Sequence, residues 1–154
     1  MRWRDLGLIG LAFLAACGGG NATSLGRVHV ALSLTSGPGS GFGRQNDTLG
    51  NACGALADVG IALAGKGDAT VRDQANTIVG VASFSPGTLT DLTTLPGGQL
   101  VDQKCLVSFD VDVKDKPSFL TFELSWTGSS KTITARVDAN EVRGGKLEIS
   151  QTIS

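Results

Sequence analysis

Few side chains in this 154-residue chain have the chemistry for a reactive site: one histidine, His29, three cysteines, two groupings of acidic residues and one glycine-rich run. His29 could serve as a general base. The alternation around it puts it on the polar face of a strand, however, and as the single histidine it would have to serve a nucleophilic triad alone. A solvated surface histidine is expected. Asp110, Asp112 and Asp115 near one strand end, and Asp138, Asn140 and Glu141 in a turn, are hard-oxygen groupings of the kind Ca²⁺ uses. Neither follows the helix–loop–helix calcium pattern, because Lys114 takes the third ligand position and no glycine follows. Both are expected to form a solvated negative face that discourages edge pairing, with Asp138, Asn140 and Glu141 the only metal candidates worth naming. The run Gly37-Pro38-Gly39-Ser40-Gly41-Phe42-Gly43 follows a strand as a phosphate-cradling loop would, yet no Lys-Ser or Lys-Thr pair and no helix start follow it. It is expected to be a flexible loop, and no cofactor is implied.

The N-terminus carries the most specific pattern. Arg2 and Arg4 form a short positive region, residues 6–14 an apolar run of nine, and Ala15 and Ala16 follow. This is the layout of a secretory signal, too short to span a bilayer. Leu14-Ala15-Ala16-Cys17 resembles the lipobox of bacterial lipoproteins. The resemblance implies that residues 1–16 are removed and that Cys17 is acylated as the first residue of the mature protein. Each buried methylene contributes about 0.8 kcal/mol, so two or three chains hold where one lets go. Residues 18–26 then form a glycine-rich tether with a root-mean-square reach of about 15–18 Å. With Cys17 taken by lipid, Cys53 and Cys105 are left as an even pair in an exported chain, which predicts one structural disulfide. A redox or metal role would need a C-x-x-C pair or a neighbouring histidine, and the sequence has neither.

Composition sets the class of the remainder. With 22 glycines, 41% hydrophobic and 18% charged residues, the chain is too apolar for disorder and too glycine-rich for a helical bundle. Its 13 basic and 14 acidic side chains give a net charge of -1, which leaves no footprint for nucleic acid.

Period-two alternation supplies the elements that must position these residues. Residues 27–35 alternate Val28, Val30, Leu32 and Leu34 with polar or small partners, and residues 105–113 do the same with Cys105 on the inner face. Short strands are expected around 59–64, 69–72 and 77–84. Residues 120–126 and 133–137 should form a hairpin, and a turn at 143–145 should lead to a last strand through 153. Residues 85–103 read as a long loop. Its Leu89, Leu92 and Leu95 either lie over the domain as a lid or offer a contact patch. Seven or eight short strands without an amphipathic helix predict an all-β, two-sheet antiparallel sandwich of the immunoglobulin-like kind, a single domain over residues 27–154.

Cys53-Gly54, Asp58-Val59-Gly60, Val71-Arg72-Asp73, Gly80, and Cys105 followed by Phe109-Asp110-Val111 and Phe119 resemble the layout of small secreted or lipid-anchored actinobacterial proteins of uncharacterised function, over residues 27–142. That family supplies no catalytic residues. The expectation is a lipid-anchored binding or interaction protein of the cell envelope without catalytic activity. It would face the extracellular or periplasmic side, with an envelope protein, glycan or lipid as partner. The alternatives are a phage- or prophage-type superinfection-exclusion lipoprotein, and an envelope ligand carrier or hydrolase, which would need titratable groups in a cleft or a roomy apolar cavity.

Overall fold

The computed structural model describes residues 24–36, 48–56, 60–94, 96 and 100–153. Residues 1–16 expected as a leader, Cys17, most of the expected tether and the 37–43 glycine run lie outside them, as does Leu95. Ten strands follow in order: β1 Gly26–Ser36, β2 Ala55–Leu56, β3 Ile61–Ala62, β4 Gly67–Arg72, β5 Ile78–Phe84, β6 Thr88–Thr94, β7 Leu100–Val113, β8 Phe119–Trp126, β9 Ile133–Asp138 and β10 Lys146–Ile153. Eight of them make two four-stranded sheets, ordered β10-β1-β7-β6 and β5-β4-β8-β9, and β2 with β3 forms a small hairpin. The sheets pack face to face as an all-β sandwich.

The alternation dictates what fills the space between them. Val28, Val30, Leu32 and Leu34 of β1 are fully buried, and they meet Val71, Leu120, Phe122 and Leu124 from the other sheet in one hydrophobic core. Each such side chain contributes about 1.5–3 kcal/mol on burial. Phe84 stacks on Phe109 at 5.4 Å and meets Trp126 edge-on at 5.2 Å. Its ring occupies the space a side chain at Gly67 would need, so glycine there is a packing requirement on a strand.

Three features depart from the sequence expectations. First, residues 85–103 are not a long loop: they contain β6 and the first part of β7, which begins at Leu100, five residues before the expected strand. Register shifts between Leu89 and Asp91 and between Thr93 and Thr94 break the period of two that would have marked β6. Second, the sandwich expected to be antiparallel contains one parallel pair. β9 belongs to one sheet and β10 to the other, where β10 runs parallel to β1 in a register from His29 against Lys146 to Ser36 against Ile153. Third, of the segment expected as a strand over 59–64, only Ile61–Ala62 is a strand among the described residues.

The connections fix which groups share a pole. Leu25 N donates to Asp115 O at 3.2 Å, Lys114 N to Val79 O at 3.0 Å and His29 N to Gly145 O at 2.7 Å. The start of β1 thus sits beside the β7–β8 turn, the start of β5 and the turn before β10. At the opposite pole, Thr127 N donates to Lys66 O at 2.9 Å and Ser130 N to Gly60 O at 2.9 Å. The β8–β9 turn is thereby laced to the segments around β3.

Candidate functional site

The cysteine pair is joined: Cys53 and Cys105 form a disulfide with Cα atoms 6.0 Å apart, 52 positions apart in the chain. Both residues are completely buried. Cys105 faces inward from β7 in register with Leu34 of β1, and Cys53 lies just before β2. Gly87 closes over the bridge. Its carbonyl accepts from Cys53 N at 2.8 Å, and a methyl group at Gly87 would overlap Cys105 Sγ. Buried in this way, the bridge pins the 48–56 segment along β6, where Leu89 N donates to Asn51 O at 2.8 Å and Gly50 N to Leu89 O at 2.9 Å. That segment covers what would otherwise be the free edge of β6.

At the pole away from the start of β1, side chain–backbone hydrogen bonds tie the loops to one another. Ala62 N donates to Ser129 Oγ at 2.8 Å, and the Ser130 hydroxyl reaches Gly60 O at 3.4 Å. A side chain on Gly60 would overlap Ser130 Oγ, and Gly60 also adopts a φ of 71°, so two independent constraints hold glycine there. Lys66, Ser130 and Lys131 are exposed on this surface. In the 48–56 segment along β6, Leu49 is exposed to 61%. The loops of the Ser130 pole thus carry two cations and hydroxyls on hydrogen-bonded backbone.

His29 sits on the outer face of the β10-β1-β7-β6 sheet, where its Nδ1 lies 2.8 Å from Asp110 Oδ1 and Arg27 Nε lies 3.6 Å from Asp110 Oδ2. The side chains are 45–73% exposed, so water screens the trio. In register, His29 faces Asp110 on β7 and Lys146 on β10, with Arg27, Ala31, Ser108 and Asp112 next along the same face. Asp112 stands opposite Arg27 on the same face, and Asp115 supplies only its backbone carbonyl, to Leu25 N.

Asp138, Asn140 and Glu141 are brought together, but as a backbone cap. Asp138 accepts from Asn140 N at 2.8 Å, and Glu141 Oε1 accepts from Asp138 N at 3.3 Å, closing a single 3-10 turn at Ala139–Glu141. Among the described residues, no group of three His, Cys, Asp or Glu side chains is arranged to hold a metal ion. Leu89 is a buried strand residue at 1% exposure and Leu92 is partly buried against the core, so neither belongs to an exposed contact loop.

A cleft of about 360 Å³ opens between the edges of β9 and β10, lined by Thr134, Arg136, Glu141, Glu148, Ser150 and Gln151 among others. The least buried core residues, Ala135, Val137, Ala139, Ile149 and Ile153 at 7–8%, belong to these two strands and the turn after β9. The sandwich is therefore laced along the side of the disulfide and open along the other. Among the described residues, no helix is long and apolar enough to cross a membrane.

Fold and bridge together define a disulfide-bonded all-β sandwich. Comparison with protein families, curated proteins and solved structures finds no match to this chain.

Proposed function

We propose that the protein is a lipid-anchored interaction module of the cell envelope, held by acylated Cys17 and acting by binding through the pole that carries Gly60, Lys66, Ser130 and Lys131. The observation that carries this is the direction of β1. The first strand begins at Gly26, nine residues after Cys17, and runs away from that end. A tether of this length keeps the start of β1 near the lipid surface and leaves the Ser130 pole at the far end of the domain. The buried Cys53–Cys105 bridge supports an oxidising compartment for the domain. A net charge of -1 favours a protein, glycan or lipid partner over nucleic acid.

The test is fractionation with mass spectrometry. Wild-type protein should sediment with membranes and carry acyl mass on Cys17, and Cys17→Ser should move to the soluble extracellular or periplasmic fraction. An unmodified mature N-terminus at another residue overturns the anchor. Cross-linking in solubilised envelopes from Lys131, compared with Lys146 at the other pole, then identifies the partner. Equal capture from both positions removes the Ser130 pole as the binding surface.

A further inference from the structure

The placement of β1 carries a mechanical consequence. β1 lies inside its sheet and is paired along both edges, over Gly26 to Thr35 with β7 and over His29 to Ser36 with β10. The chain reaches β1 from one pole only, where Leu25 N is bonded to Asp115 O. β7 is tied near the other end by the Cys53–Cys105 bridge, and β10 runs parallel to β1, so it finishes at that other end too.

The orientation of the rungs follows from one bond. His29 N donates to Gly145 O at 2.7 Å, so His29, Ala31, Ser33 and Thr35 turn their backbone groups towards β10, and the residues between them turn theirs towards β7. In the parallel register, Leu147, Ile149, Gln151 and Ile153 answer them, while Lys146, Glu148, Ser150 and Thr152 point theirs to the open edge. A tension that draws the start of β1 one way while the far pole is held lies along the strands. β1 can then leave only by sliding past β7 and β10 together, and every rung is loaded at once. Pulling β10 from its own start would instead open the rungs singly.

We propose that the domain is a load-bearing link, built so that tension between its tether and a partner held at the far pole is carried in shear by β1. The source of that tension rests on the lipid-anchored reading. The shear geometry does not, so the two can fail separately.

Single-molecule force spectroscopy on the full chain, made without acylation and held through the Cys17 thiol, tests it. Pulling against Ser154→Cys loads β10 from its far end, and pulling against Arg143→Cys peels it from its start. The first direction should unfold at a force at least about twofold higher, because about eight rungs share the load instead of one. Gln151→Pro, which removes a rung donor, should lower the higher force more than Ser150→Pro, whose N–H faces the open edge. Equal forces in the two directions overturn the proposal, and this comparison needs neither proline variant to fold. A Gln151→Pro domain that is folded and keeps the full force overturns it as well. Membrane release of Cys17→Ser bears only on the anchor.

Discussion

Replacing Cys53 and Cys105 together by alanine removes a cross-link between positions 52 apart, and the cost can be worked from that separation. The chain-entropy relation for a closed loop of this size gives about 4 kcal/mol at 25 °C. Lost packing has the same sign, because both sulfurs are fully buried and Gly87 is shaped around them. Domains of this size are stable by about 5–15 kcal/mol, so the variant should be left marginal. Urea unfolding followed by tryptophan fluorescence measures it directly. The midpoint should fall, and the slope should rise because the uncross-linked unfolded chain exposes more surface. The buried sulfurs add a second expectation: reduction of the wild type by a mild thiol should proceed no faster than the domain opens. A loss below about 1 kcal/mol, or free thiols in the oxidised wild type, would refute the reasoning, since the bridge would then constrain nothing.

Phe122→Ala should cost about 3–5 kcal/mol by denaturant titration, since Phe122 is fully buried in the centre of β8 and lies edge-on to Phe109 at 6.5 Å. Gly80→Ala should destabilise by about 1–3 kcal/mol in the same assay, although alanine ordinarily suits a strand better than glycine. The new Cβ would lie 2.8 Å from Val111 Cγ2 and 3.0 Å from Asp112 O, where β5 closes on β7. Asp110→Ala should change thermal stability by less than about 1 kcal/mol, because its partners His29 and Arg27 are more than half exposed.

What could be read from residue order, and what could not, divides along physical lines. β1, β8 and β10 keep an unbroken alternation because each buries one face and wets the other, and that pattern is local. β6 has the same two-faced character, but its register shifts at Leu89 to Asp91 and Thr93 to Thr94 scramble the period, so its leucines look like loop residues. Leu89 proves to be core for that reason. Residue order alone does not show why Gly67, Gly80 and Gly87 are glycine, yet each makes room for a close neighbour: the Phe84 ring, Val111 with the β7 backbone, and the disulfide. The parallel match of β1 with β10 has no local signature at all, since any half-buried strand can pair with any other until tertiary packing chooses. Asp138 and Glu141 were legible as oxygen ligands, but their targets are backbone N–H groups of their own turn, a distinction set by dihedral angles and invisible in residue types.

The pairing of β1 with β10 also governs when the domain can form. A chain that emerges from its N-terminus, from a ribosome or through a translocation pore, presents β1 first and both of its neighbours much later, β10 last of all. Until residue 153 is out, one whole edge of β1 has no partner and Val28, Val30, Leu32 and Leu34 have only part of the surface that covers them. Contacts of such long sequence separation are slow to close, and sandwiches built on them fold in milliseconds to seconds. The core strand β1 therefore gains its full set of neighbours only when residues 146–153 are available to pair with it.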